Sequence, residues 1–396
     1  MAAPRRRGAT WEITIERGYH PVTGKRDRDS RTFRGTKKEA LAEERRLLRE
    51  RDLGTYVEPN GLTVQDHLER WLHGARGNLA LKTLERYEDI IAKHLVPGLG
   101  PIPLDKLRPA HIQDYYTKAR ESGRLDGRGG LSAKTVLHYH RLLHLALEEA
   151  VNWQLIARNP CDAVKPPRAE YHEMHVLTQE QISRLLTEAT SAGLQVPLLV
   201  SVTTGVRRGE LLGLRWQDVD LEAQTLTVRQ SLVESRSGEL TFKQPKTPKS
   251  RRRISLPPSV TRALREHRRS QAEVRLALGN TYQDFDLVVT RPDGRPCSPD
   301  AFSKAFHRLS HRLDLGVRLH DLRHTHATML LQQNIHPKVV SERLGHATVG
   351  LTLDTYSHVL EGMDREAANC IDGLLSLPTP TAAVDGVDGK RSATPA

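Results

Sequence analysis

Cysteine is scarce in this chain. Cys161, Cys297 and Cys370 are the only three in 396 residues, and they lie far apart. That excludes both a disulfide framework and a closely spaced cysteine zinc site as organising features, and it is compatible with a reducing compartment. Any run of about 18 apolar residues, the length needed to cross a bilayer, is also missing. The opening residues MAAPRRRGATW lack the apolar stretch of a secretory signal. The expectation is a soluble, cytoplasmic protein that crosses no membrane. No GxxxxGK[ST] phosphate loop is present, and no carboxylate cluster suggests a two-metal site, so no nucleotide, metal or other cofactor is expected.

Acidic residues are outnumbered: 60 Lys and Arg stand against 48 Asp and Glu, a formal net charge of +12. Such a balance favours a polyanionic partner, either nucleic acid or an acidic membrane surface, and the sign alone does not choose between them. A chain of 396 residues has room for two or three domains, each able to bury a core.

The fold class expected is multidomain and mainly α. In the first segment, the short β-type runs WEITIE and RTFRG flank HPVTGKRDRDS, whose Pro21, Gly24 and Asp27 form turns. This predicts a hairpin or a three-stranded sheet, unusually rich in Arg and Lys. A helix follows in TKKEALAEERRLLRERDLG, with Ala40, Leu47 and Leu48 apolar and Gly54 as a stop. Next, Thr63 is a candidate N-cap for a helix with Val64, Leu68, Trp71 and Leu72 on one face, and Leu84, Tyr87, Ile91 and Leu95 make a second stripe. RPAHIQDYYTKAR and SAKTVLHYHRLLHLALEEAVNW complete a four-helix module. Helical spacing accounts for its histidines and tyrosines, so they are assigned no chemistry. Asn159-Pro160 and Lys165-Pro166-Pro167 mark a stiff connection and a boundary near residue 170. Beyond it the pattern is helical to about residue 375, except for the β-prone runs TLTVRQSLV and RRRISLP. The last twenty residues are expected to be disordered.

Four segments carry candidate chemistry. TTGVRRGELLGLRW sets Arg207 at the start of an apolar helix, with Glu210 placed to orient it. KQPKTPKSRRR gathers Lys243, Lys246, Lys249, Arg251, Arg252 and Arg253 without an acid, a hairpin suited to phosphates or simply a solvated turn. HDLRHTHATMLLQQN brings His320, Arg323, His324 and Ala327 toward one helical face. LGHATVGLTLDTY puts Tyr356 ten positions after His346. The spacing of His320 and His324 also fits two zinc ligands, as in HExxH. Against that reading, Asp321 stands where the pattern needs Glu, Arg323 would repel a dication and no third ligand is signalled.

Taken in order, TGVRRGE, PKT, HDLRHTHAT, LGH and DTYSHV resemble the motifs of the tyrosine recombinase, or phage integrase, family across residues 173–371. The resemblance implies an arm-type DNA-binding domain over 1–60, with a small β-sheet plus a helix. It implies a core-binding helical domain over 61–168 and a mainly helical catalytic domain with a small sheet over 173–376, followed by a tail at 377–396. It makes Tyr356 the nucleophile, Arg207 and Arg323 the ligands of the non-bridging oxygens, Lys246 the general acid, and His320 and His346 their assistants. The implied partners are double-stranded DNA attachment sites, a homotetramer on DNA, and an excision factor or host DNA-bending protein, within the nucleoid.

The chemistry is self-consistent. Attack of a phenolate on a phosphodiester gathers charge on equatorial oxygens that planar guanidinium groups bind bidentately. A covalent phosphotyrosine conserves the energy of the broken bond, so a 5′-hydroxyl can reseal it without ATP. Two other classes stay open at this level: a type IB topoisomerase-like enzyme, which the arm-like first segment disfavours, and a DNA-binding regulator with idle catalytic positions, which would have no need of Tyr356 or His346.

Overall fold

The computed structural model describes residues 4–19, 24–53, 56–57, 61–169, 174–244, 251–356 and 363–375. Lys246, Lys249, Gly54, the boundary expected near residue 170 and the tail at 377–396 lie outside them. The chain is mainly helical with small antiparallel sheets, and it divides into two compact units, Met1–His172 and Glu173–Ala396.

In the first unit, β1 (Arg5–Arg7), β2 (Thr10–Tyr19) and β3 (Arg26–Phe33) form a sheet in that order. Alternation along β2 turns Ile13 and Ile15 inward, fully buried against Leu47 of α1 (Lys37–Asp52). Thr36 and Glu39 cap that helix reciprocally. β3 starts within the stretch expected to be a turn, because Asp27 and Arg26 pair with Gly18 and Tyr19 of the long β2. Cross-strand pairing there overrides the poor strand propensity of Asp.

The helical module comprises α2 (Val64–Ala75), α3 (Leu81–Ile90), α4 (Val96–Leu99), α5 (Pro109–Ser122) and α6 (Ala133–Asn152). A π-helical turn over Ile91–Leu95 joins α3 to α4 without a break and keeps Ile91 and Leu95 in the core. The Thr63 cap is present, its hydroxyl and backbone N–H both donating to Asp66 at 2.6 and 2.8 Å. His67 is fully buried and its Nε2 donates to the Ala146 carbonyl at 2.7 Å, the structural role that the apolar periodicity had suggested for the module's histidines.

The second unit opens with α7 (Gln179–Ala189), α8 (Gln195–Thr204) and α9 (Arg208–Leu212). Five strands follow: β4 (Val219–Asp220), β5 (Thr225–Val228), β6 (Ser231–Glu234), β7 (Leu240–Lys243) and β8 (Arg252–Ser255). It closes with α10 (Pro258–Leu278), α11 (Pro299–Arg312), α12 (Asp321–Gln332), α13 (Pro337–Leu344), α14 (Val349–Tyr356) and α15 (Met363–Leu375). TLTVRQSLV is two strands rather than one. β5 pairs with β4 and β8, whereas β6 pairs with β7, a strand that the sequence pattern did not announce. The break falls at Arg229-Gln230, where Gln230 donates to the Gly213 carbonyl at 2.9 Å.

α8 is apolar nearly all round because it runs through the centre of this unit, with α7, α10 and α12 packed on it. Leu198, on α8, is fully buried. Leu198→Ala is therefore expected to destabilise the second unit by about 2–5 kcal/mol through lost transfer energy and the cavity left behind. Urea unfolding followed by circular dichroism measures this; a loss below about 1 kcal/mol would mean the core collapses around the site.

Candidate active site

Two helix ends in the left-handed conformation lie at the base of the site. α8 stops at Gly205 (φ 65°) and α13 at Gly345 (φ 68°), both conformations that glycine adopts without strain. Neither position has room for a side chain. A Cβ on Gly205 would lie 2.6 Å from Leu344 Cδ2, and one on Gly345 would lie 3.0 Å from Arg252 Nη1. The carbonyls exposed at these helix ends become guanidinium acceptors. Arg323 donates from Nη1 to the Gly205 carbonyl at 2.6 Å and from Nη2 to the Leu344 carbonyl at 2.8 Å. Arg207 donates from Nη2 to the next carbonyl, that of Gly345, at 3.1 Å. The two arginines of the sequence motif are thus held by adjacent peptide groups.

Arg207 precedes α9, and Glu210, one turn into that helix, accepts both its backbone N–H and its Nη1 at 2.9 Å. Glu210 is buried and shared: Arg252 donates to its two oxygens at 3.2 and 2.8 Å. Burial opposes the charge on Glu210, but hydrogen bonding and attraction from Arg252 and Arg207 outweigh it and hold the carboxyl below its ordinary range. Arg252 also donates Nε to the Arg343 carbonyl at 2.7 Å, which ties β8 to the end of α13. In the sequence Arg252 looked like one more cation of a solvated basic turn; in the structure it is 9% exposed. The strand alternation of Arg252, Ile254 and Leu256, all buried, was the signal that could have revealed it.

Arg323 is 4% exposed, and burial, followed by the neighbouring Arg207 and Arg252, lowers its pKa. Carbonyl acceptors compensate its desolvation without cancelling its charge. The pocket therefore concentrates three guanidinium groups around one carboxylate, an arrangement that favours an incoming anion.

His320 stands just before α12, exposed, and its ring meets that of His324 edge-on at 5.0 Å. Partial desolvation of the ring by its neighbours and then Arg323 lower the pKa of His320. His346 follows Gly345, and its Nδ1 lies 2.7 Å from the Thr352 hydroxyl. Tyr356 ends α14 at 1% exposure, and its hydroxyl lies 2.8 Å from His324 Nδ1. Burial pushes the phenol up to about 12, with Arg323 acting in the opposite direction. Arg207, Arg323, His320, His346 and Tyr356 thus converge, and Lys246 lies outside the described residues. The sequence placed His324 on one helical face with His320 and Arg323 and offered it as a metal ligand, without giving it a part in the recombinase set. Among the described residues no group of three or more His, Cys, Asp or Glu side chains is arranged to hold a metal ion.

Three histidines here resist protonation. Burial is the first cause for each, and it pulls His324, His326 and His346 down to about 4, helped next by His320, Arg343 and Arg323 respectively. In the unfolded chain each titrates near ~6.5, so between these values the unfolded state binds more protons and stability rises with pH. The expected outcome is a Tm of the second unit that falls as pH drops from about 6.5 towards 4, with a shallower fall in His326→Gln; calorimetry across that window checks it.

Comparison with known proteins supplies the context for this geometry. Residues 175–363 match the phage integrase family, and residues 63–119 match the phage integrase N-terminal SAM-like domain. A tyrosine recombinase XerC-like protein of Caldanaerobacter subterraneus is 28% identical, covering 86% of this chain and 90% of its own. The ICEBs1 integrase of Bacillus subtilis is 27% identical over 95% of this chain and all of its own. Among solved structures, the Tn1549 transposon integrase in complex with a circular intermediate DNA superposes with a TM-score of 0.67 at 21% identity, over 78% of this chain and 99% of that one. A lambda integrase dimer bound to a COC′ core site gives 0.55 at 19% identity, over 88% and 93%. Two domains of one family matched in order, with relatives aligned along most of their length, place the chain in the phage integrase family of tyrosine recombinases.

Proposed function

We propose that this protein is a site-specific DNA recombinase that integrates or excises a mobile element by cleaving and rejoining DNA through a phosphotyrosine at Tyr356. The observation that carries the assignment of roles is the seating of Arg207 and Arg323 on the consecutive carbonyls of Gly345 and Leu344, beside a buried phenol. Two fixed guanidinium groups bind the two non-bridging oxygens of one phosphodiester and stabilise the charge that grows on them during attack. Neither needs to reorganise, because each is already tied to backbone.

In the cleavage step the Tyr356 oxygen forms a bond to phosphorus while the bond to the 5′-oxygen breaks, and a proton reaches that leaving oxygen from Lys246. The DNA 3′-phosphate stays on Tyr356. A 5′-hydroxyl from a partner strand reverses the step, so the number of phosphodiester bonds is conserved and no nucleotide is consumed. His320 and His346 hydrogen-bond to the transferring phosphoryl group, with His346 oriented by Thr352.

A groove lined by Arg229, Lys243, Arg251 and Arg253, next to β5 and β8, supports phosphate-backbone binding. Asp218 pairs with Arg215 and Arg229, and among the described residues that line the groove none carries a carboxylate. Solved relatives of this fold are described as integrases bound to DNA, one as a tetramer on a Holliday junction. By analogy this chain acts as four protomers on two attachment sites, the first 60 residues engage arm-type DNA, residues 61–168 grip the core site with the catalytic unit, and an excision factor or a host DNA-bending protein sets direction.

On a nicked attachment-site duplex without metal, the wild-type protein is expected to form an SDS-resistant adduct and Tyr356→Phe to bind but form none. An adduct in that variant would remove Tyr356 from its role. Arg207→Ala and Arg323→Ala are expected to slow adduct formation by roughly 10²–10³, the loss typical of a preorganised oxyanion donor. Undiminished rates in single-turnover assays would leave these arginines a structural role alone.

A further inference from the structure

The phenol of Tyr356 has an imidazole on it, and it is not one of the two that the recombinase reading employs. His324 Nδ1 lies 2.8 Å from the Tyr356 hydroxyl, with ring centroids 5.8 Å apart. His346, ten residues before Tyr356, has its Nδ1 engaged by Thr352, and His320 contacts the edge of His324. His324 is reached because α12 carries it one residue past Arg323, so the guanidinium turns towards Gly205 and Leu344 while the imidazole turns towards α14.

We propose that His324 is the immediate proton acceptor for Tyr356 in strand cleavage and the donor in strand joining. This rests on the reading of Tyr356 as nucleophile. In cleavage, the phenolic proton passes to the lone pair on His324 Nδ1 as the bond from the phenol oxygen to phosphorus forms, and the bond from phosphorus to the 5′-oxygen breaks. In joining, the 5′-hydroxyl attacks phosphorus and gives its proton to Lys246, the phosphotyrosine bond breaks, and the proton on Nδ1 returns to the phenol oxygen.

Three features suit His324 to this exchange. Its distance to the reacting atom lies within the range required of a general base. It is half-buried in a pocket whose charged neighbours include Arg323, Arg318 and Asp321, with His320 and His346 also facing it, and burial keeps it neutral so that a lone pair is available. The phenol it serves is buried as well, so water does not compete for the proton. A weak base is adequate here because the phenol becomes strongly acidic only as its oxygen bonds to phosphorus, and the proton moves in concert with that bond.

The test uses the full-length protein and the nicked duplex on which wild type forms its adduct. His324→Ala and His324→Asn are each expected to bind that duplex as wild type does and to form adduct about 10²–10³ more slowly, since Asn can accept a hydrogen bond but not a proton. Replacing Tyr356 with 2,3,5-trifluorotyrosine, whose phenol ionises without help, is expected to close most of the gap between wild type and either variant. A variant that cleaves at the wild-type rate or faster, full recovery in His324→Asn, or a gap unchanged by the fluorinated phenol would overturn the proposal. Failure of the underlying reading has a different signature, namely adduct formation by Tyr356→Phe.

Discussion

A buried guanidinium satisfied by backbone carbonyls rather than by a carboxylate is the interaction on which this site depends. Arg323 is held by Gly205 and Leu344 in this way. Pairing it with an acid would have been the ordinary solution for a buried cation, and it would also have neutralised the pocket. Carbonyl dipoles satisfy the hydrogen bonds and leave the charge in place. Much of the surrounding architecture serves to present those carbonyls: α8 and α13 both end at left-handed glycines, and both helices pack against α12, which carries Arg323. The buried acid Glu210 is divided between Arg207 and Arg252, so it fixes positions without extinguishing the field.

How much of this was legible in the sequence follows from the kind of constraint involved. Residues whose type and spacing are both distinctive could be picked out directly. Arg207, His320, Arg323, His346 and Tyr356 lie in short segments where residue type and spacing are both distinctive, and the fold brings them together. The amphipathic stripe Val64-Leu68-Trp71-Leu72 is buried for the reason periodicity gives, and of the stripe Leu84-Tyr87-Ile91-Leu95 the last two are buried and the first two partly so.

What the sequence did not disclose depends on pairing and on direction. The strand β7 has weak local signals and exists because β6 offers it an edge. Arg252 belongs by composition to a basic loop, but one residue of strand register moves it from solvent into the core beside Glu210. His324 and His320 are equivalent as letters in a motif. Only the position of α14 across α12 decides which of them touches Tyr356.

The burial of Tyr356 at the end of α14 has a consequence for the cell that carries this protein. An exposed, activated phenol would be a standing hazard to a genome, nicking wherever the protein rested on DNA and trapping itself on broken ends. With the phenol sheltered and its pKa pushed up to about 12, the proposed role of Tyr356 makes cutting depend on a phosphate being brought to the buried hydroxyl, and contact elsewhere on the protein is insufficient. Discrimination between a true site and the rest of the chromosome can then be exercised after binding, at the moment the phosphate meets the phenol.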